Sequence, residues 1–263
     1  MLISHRKKFI YTKTVRTAGT SVEIFFEKYC MPEGKWQLSH TREEYVSSEG
    51  IIGFRRKGRR GAKWRNHMPA EEIKRRIGDD IWNRYFKFCV IRDPFDKLIS
   101  EFHFLSTRRD NYTFRQRLVA IARKMLGRAN PIDLVTGENN VDRFRSWIRK
   151  GGGVIDRDKY LIDGEMCMDF FIRFEDLEAG IRQVCQRLGV PFEPEGIPSI
   201  NSGTRPRDGV AVNEYYDPET IDLVSKLYQF ELETFGYRPP QPSRVTDKAD
   251  GALCGAQPPS RHQ

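Results

Sequence analysis

The stretch Tyr85–Ile91, "YFKFCVI", constrains the fold more than any other part of the chain. It is apolar throughout except for Lys87. A run of this length without polar alternation suits a strand buried on both faces, as in parallel sheets covered by helices on each side. The segment after it, "RDPFDKLISEFHFL", agrees: Asp93 sits at a cap position and Pro94 at a first helical position. Strand followed by helix recurs. Residues 8–14 read as a strand and 20–30 as a helix. "MDFFIRF" (168–174) reads as a strand, and "EDLEAGIRQVCQRLGV" as a helix with Leu177, Ile181, Val184 and Leu188 on one face. Strands alternating with helices predict an α/β fold with a largely parallel sheet.

The spacing also predicts a short helix over 71–78 opened by Pro69, a helical turn over 79–84, and a basic amphipathic helix over 113–127. Further helices are predicted over 140–149 and along "PETIDLVSKLYQFELETFGY", ending at Gly236. Residues 31–66 carry no clear period, and their basic stretch "FRRKGRRGAKWR" reads as an exposed loop. Beyond Pro239 the chain is rich in Pro, Ser, Gln and Gly. The expected organisation is one domain over 1–238 and a disordered tail over 239–263. No stretch is apolar for long enough to be a signal peptide or a membrane span, so the expected location is the cytoplasm. The five cysteines (Cys30, Cys89, Cys167, Cys185, Cys254) are scattered without a C-x-x-C pair. They are expected as reduced, mostly buried thiols rather than zinc ligands or a disulfide framework. A net charge of +9 favours an anionic ligand without choosing among nucleotide, nucleic acid, acidic glycan and membrane.

Two stretches narrow that choice. In "KKFIYTKTVRTAGTSVEIFFEKYC" a strand enters a loop of small residues and leaves it as a helix. Such a loop presents backbone N–H groups and a helix dipole to an anion. Thr17, Thr20 and Ser21 add hydroxyls, Lys13 and Arg16 add charge, and Gly19 allows close backbone approach. The same pattern also suits an ordinary turn with a Thr or Ser cap. It lacks the Gly-Lys-Ser/Thr ending of nucleotide hydrolases. In "VIRDPFDKLIS", Arg92 ends the buried strand and Ser100 follows two helical turns later. At the carboxyl edge of a parallel sheet, Arg92 can fork onto a phosphate or pair locally with Asp93 or Asp96.

Taken together, the two stretches resemble the cofactor motifs of the PAPS-dependent sulfotransferases, whose sulfonate donor is 3′-phosphoadenosine 5′-phosphosulfate. "RTAGTS" (16–21) is similar to the family's Lys-Thr-Ala-Gly-Thr-Ser loop, which holds the 5′-phosphosulfate. Arg92 and Ser100 match the Arg and Ser that hold the 3′-phosphate. "FIRFEDL" (171–177) and "ELETFGY" (231–237) resemble later family segments. The likeness runs from about residue 8 to 237 and looks nearest the carbohydrate-type and bacterial branch. It implies a P-loop-like three-layer sandwich with a central, mostly parallel sheet flanked by helices. It further implies sulfonate transfer from PAPS to an acceptor hydroxyl, on a carbohydrate or glycoconjugate, without a metal, with cofactor contacts at Lys13, Arg16, Thr17, Ala18, Gly19, Thr20, Ser21, Arg92 and Ser100. Arg16 stands where the family has Lys; it can hold a departing phosphate but cannot donate a proton. Lys13 is a candidate substitute.

The acceptor needs a base. The resemblance points to His67 in "RNHMPAEEI", with His40 or a carboxylate as alternatives, and His103 pointing to core or cofactor. The basic run from Arg55 to Arg65 reads either as a solvated loop or as a rim for an anionic acceptor; it lacks the aromatic interleaving of a nucleic-acid platform, and no nucleic-acid partner is expected. Arg205 and Arg207 in "SGTRPRDG" suit either a late loop over the 3′-phosphate or solvent. Two competing readings are a nucleotide kinase or hydrolase and a non-catalytic polyanion binder.

Overall fold

The computed structural model describes residues 1–55, 61–198 and 209–241. In chain order the strands are β1 (Leu2–Ser4), β2 (Phe9–Tyr11), β3 (Tyr45–Val46), β4 (Gly50–Ile52), β5 (Phe86–Ile91), β6 (Leu161–Ile162), β7 (Glu165–Met166) and β8 (Phe170–Arg173). The helices are α1 (Gly19–Glu27), α2 (Ala70–Ile77), α3 (Asp79–Arg84), α4 (Pro94–Asp110), α5 (Phe114–Met125), α6 (Asn140–Arg149), α7 (Leu177–Leu188), α8 (Val212–Tyr215), α9 (Pro218–Leu227) and α10 (Gln229–Phe235).

Six strands form the central sheet in the order β3-β4-β1-β2-β5-β8, and β6-β7 form a separate hairpin. Strands β2, β5 and β8 are parallel neighbours. β1 pairs antiparallel with both β2 and β4, and β3 pairs antiparallel with β4. Four of the six strands therefore run one way, and β1 and β3 run against them. Alternate residues feed two cores, as the period of two requires. Leu2, Phe9, Tyr11, Phe88, Val90 and Ile172 pack with Val22, Phe25 and Phe26 of α1 and Ile181 and Val184 of α7. Ile3, Ile10 and Ile51 pack on the opposite face with Ile73 of α2 and Trp82 of α3. This is the expected three-layer α/β sandwich. A third core joins α4, α6, α8 and α9 around Phe102, Phe144, Trp147 and Tyr215.

Several local expectations hold. Asp93 caps α4 by accepting from the N–H groups of Phe95 and Asp96, with Pro94 at the first turn. Lys87 crosses its apolar strand by donating Nζ to the carbonyls of Trp82 and Tyr85 and pairing with Asp169. Cys30, Cys89 and Cys185 are buried and Cys167 half-buried, all as free thiols. Other expectations need correction. β1, β3 and β4 are strands where no period was legible. The last helix breaks at Tyr228 into α9 and α10. The Tyr228 hydroxyl, turned inward there, accepts from Val154 N–H at 3.1 Å and donates to the Val154 carbonyl. Of the expected tail, residues 239–241 are irregular, and 242–263, with Cys254, lie outside the described residues. No helix among the described residues is long and apolar enough to cross a membrane.

Candidate active site

The parallel arrangement brings the carboxyl ends of β2, β5 and β8 to one edge, where a cleft of about 730 Å³ opens. Residues Lys13 to Ser21 line it after β2, Arg92 after β5, and Phe174 and Leu177 after β8. Ser100, Glu101 and Phe104 of α4, the pair Asn66–His67, and Ile197 with Pro198 complete the wall. The crevice beyond the strand ends is where open α/β sheets take ligands.

The loop after β2 has a distinctive backbone. Arg16 and Ala18 adopt left-handed φ values of 59° and 54° on either side of Thr17. Alternation of this kind turns successive N–H groups toward one concave side, and α1 begins directly after it at Gly19. His67 is also left-handed, at φ 54°. Three of the five non-glycine residues with such φ among the described residues therefore line this cleft. Backbone strain concentrates where surrounding structure over-determines it, commonly at a functional site. Two anchors hold the loop. Val15 N–H donates to Asp156 at 2.8 Å, and the same carboxylate receives Lys97 at 2.6 Å. Thr14 Oγ1 lies 2.8 Å from Thr17 Oγ1 and donates to the Val90 carbonyl at 2.5 Å.

A Cβ at Gly19 would lie 2.8 Å from Lys13 Cγ and 3.2 Å from the Tyr11 hydroxyl, so its small size makes room for the Lys13 side chain beneath the loop. Lys13 is itself almost fully buried, with Nζ 2.6 Å from Glu23 Oε2 and 3.0 Å from Thr20 Oγ1. Arg55 also reaches Glu23, at 3.2 Å, and Glu27, at 3.0 Å, while Arg42 pairs with Glu27 at 2.6 Å. The Met1 amino group contacts Glu23 as well. Burial alone would raise the Glu23 carboxyl, but Lys13, the amino group and Arg55 overcome it and hold it well below its ordinary range. Burial pulls Lys13 down despite Glu23. Glu23 faces three cations, so the pair is ionic near neutral pH. Lys13 thus props the loop from below and is not an open substitute for the family Lys.

The basic run needs the same correction. Arg55 is buried in this network, and Arg65 forks onto Glu72 at 2.7 and 2.6 Å. Neither end of the run is a solvated rim, and residues 56–60 lie outside the described residues.

Arg92 and Ser100 do come together, with Arg16 between them. Arg16 donates from Nε and Nη2 to Ser100 Oγ at 3.1 and 3.0 Å, and its guanidinium sits 4.7 Å from the Phe104 ring centroid. Arg92 donates to the Arg16 carbonyl at 2.7 Å and to Asp96 at 2.9 and 2.6 Å, over the Phe174 ring at 4.0 Å. The local Asp96 pair and the strand-end position therefore coexist, and two of its five N–H groups remain without a described partner. Sequence placed Arg16 with the 5′-phosphosulfate and Ser100 with the 3′-phosphate. In the structure the Arg16 side chain lies on Ser100, and only its backbone belongs to the loop.

His67 Nδ1 lies 3.0 Å from the Lys13 carbonyl. A carbonyl only accepts, so Nδ1 carries the proton and Nε2 holds the lone pair. Burial, then the charge of Lys13, then the amino group, lower its pKa to about 4. The ring is thus a neutral base near pH 7. His40 is exposed and does not line the cleft. His103 belongs to the core, 2.9 Å from the Tyr215 hydroxyl. Arg205 and Arg207 lie outside the described residues.

Sequence reasoning missed Asn66, Glu101, Phe104, Phe174 and the anchors Glu23 and Asp156. A signal existed for Glu23: it and Glu27 stand four residues apart in an otherwise apolar helix, which demands buried cations. Burial raises the Glu101 carboxyl against the opposing pull of Arg16. Asn66 Oδ1 and Glu101 Oε2 are buried without a hydrogen-bond donor, and Glu101 Oε2 lies 3.9 Å from Arg16 Nε as an ion pair. No group of side chains among the described residues has the make-up of a metal site.

A scan against protein-family models matches residues 1–238 to one described as the Sulfotransferase family. A search of curated proteins found no match. A search of solved structures found none either.

Proposed function

Because the chain belongs to the Sulfotransferase family, we propose that it moves a sulfonate group from PAPS to an acceptor hydroxyl, with the cleft at the β2, β5 and β8 ends as its active site. The observation that carries this is His67: a neutral imidazole with its lone pair on Nε2, in the same cleft as a phosphate-type loop and two arginines. The residues fit the donor. The left-handed loop and α1 suit the 5′ end, and Arg16, Arg92 and Ser100 suit the 3′-phosphate, moving Arg16 from the role its motif implied. Phe104 and Phe174 offer flat apolar faces beside them. Nε2 of His67 takes the acceptor proton as the acceptor oxygen bonds to sulfur and the sulfur–oxygen bond to phosphate breaks. The loop N–H groups stabilise the charge left on that phosphate.

The polar side chains Asn66 and Glu101 in the cleft wall favour an acceptor rich in hydroxyl groups. A carbohydrate or glycoconjugate acceptor supplies them. The direct test is incubation with PAPS and a panel of glycans, glycolipids and simple alcohols, read by mass spectrometry for the gain of one SO₃. No gain on any hydroxyl compound sinks the reading. In a parallel thermal-shift assay, 3′-phosphoadenosine 5′-phosphate should raise the melting temperature more than ATP with Mg²⁺ or heparin does. The reverse order would favour a kinase or a polyanion binder.

Arg92→Ala should weaken 3′-phosphoadenosine 5′-phosphate by about 2–3 kcal/mol, roughly 30- to 150-fold in Kd, because a charge-assisted contact is lost. Adenosine 5′-phosphosulfate, which has no 3′-phosphate, should bind weakly and change little. Equal loss for both ligands in titration calorimetry would remove Arg92 from the 3′-phosphate.

A further inference from the structure

Helix α5 has no buried residue, yet it carries an apolar stripe. Phe114, Leu118, Ile121 and Met125 are 78%, 51%, 51% and 83% exposed. Their spacing of i, i+4, i+7 and i+11 confines them to an arc of about 60° on a helix of 3.6 residues per turn. Arg117 and Lys124 flank the stripe on one side and Arg115 on the other. The helix contains no acidic residue, and residues 108–128 hold seven Arg or Lys against the single Asp110. That segment accounts for most of the chain's net charge of +9. A capping box between Thr113 and Gln116 closes the helix at its own N-terminus, so its start is fixed without tertiary burial.

We propose that α5 is a membrane-surface helix that lies in the interface of a bilayer containing anionic lipid. None of these four side chains belongs to a hydrophobic core among the described residues, and each keeps about half or more of its surface in water. Charge complementarity decides what covers it. A second copy of the chain would bring two strongly cationic helices together and pay repulsion along the whole stripe. An anionic bilayer answers both features at once: acyl chains take Phe114, Leu118, Ile121 and Met125, and headgroups take the flanking cations. Tyr112 and Phe114 stand at the start of the helix, where aromatic rings suit the headgroup level. This attachment is peripheral and does not depend on the chemistry of the cleft.

The test is co-sedimentation of the full chain with phosphatidylcholine vesicles, with and without phosphatidylserine, at low and high salt. The protein should pellet with the phosphatidylserine vesicles, and less so at high salt. Leu118→Glu with Ile121→Glu, both on exposed positions, should weaken binding by about tenfold or more. Arg117→Gln with Lys124→Gln should weaken it by about tenfold and reduce the salt dependence. Circular dichroism checks that each variant remains folded. Three results overturn the proposal. One is equal or absent pelleting with the two vesicle types. Another is binding that survives the apolar pair but not the basic pair, which marks a polyanion face instead. The third is a concentration-dependent dimer in sedimentation velocity that the apolar pair abolishes, which makes a second copy the occupant.

Discussion

Replacing His67 with alanine is expected to lower kcat by about 10²–10⁴-fold, the usual worth of a positioned general base. Affinity for 3′-phosphoadenosine 5′-phosphate should change little, because His67 approaches the loop through the Lys13 carbonyl and adds no charge near pH 7. The pH profile carries a sharper expectation. An unperturbed histidine would lose its lone pair below about pH 6.5. Here burial first, and the Lys13 charge second, disfavour the imidazolium and lower the pKa to about 4. The acid limb of kcat/KM, which reports the free enzyme, should therefore lie near pH 4. The limb of kcat should lie higher, since a bound polyanion beside the ring favours its protonated form. The same depression makes His67 a destabilising group in acid. Below about 6.5 the unfolded chain binds a proton that the folded chain refuses until about pH 4, so stability falls as pH drops through that window. A His67→Ala enzyme with full activity, or an acid limb that stays put in the variant, would return the role of base to His40 or a carboxylate.

Glu23→Gln should destabilise the fold by about 3–5 kcal/mol, because it leaves Lys13 and Arg55 buried without their shared carboxylate. Urea unfolding measures it directly. A cost under about 1 kcal/mol, the range of an exposed pair, would mean that these charges are solvated and the network is not structural. The effect should reach the cleft, since Lys13 also holds Thr20 of the loop. Acid denaturation gives an independent check. The folded-state pKa of Glu23 is lowered, as three cations outweigh its burial. Its contribution is therefore present in full above its unfolded pKa of about 4.3, and is lost as pH falls through the folded value. The wild type should lose stability below about pH 4 more steeply than Glu23→Gln, whose amide does not titrate.

Residues 85–91 required a doubly covered strand by composition alone, and the Asp93–Pro94 pair fixed the start of α4 because a cap and a first-turn proline act locally. The three parallel strand–helix units were legible for the same reason: each carries its own period and its own turn. The order of residues in the loop and the Arg92–Ser100 spacing were enough to place the cleft at one sheet edge, because a strand end fixes direction as well as position. Tertiary structure decided the rest. β1, β3 and β4 are two or three residues long, too short for any period, and exist through pairing with distant strands. Whether Lys13 faced ligand or core depended on Glu23, ten residues away on the next element, and on Arg55 from a segment that read as open loop. The side chain of Arg16 was free by motif to go either way, and Ser100, 84 residues on, receives it. Side-chain direction and charge partnership are long-range properties. Sequence names the residues that carry charge; only the packed fold determines which charge each one meets.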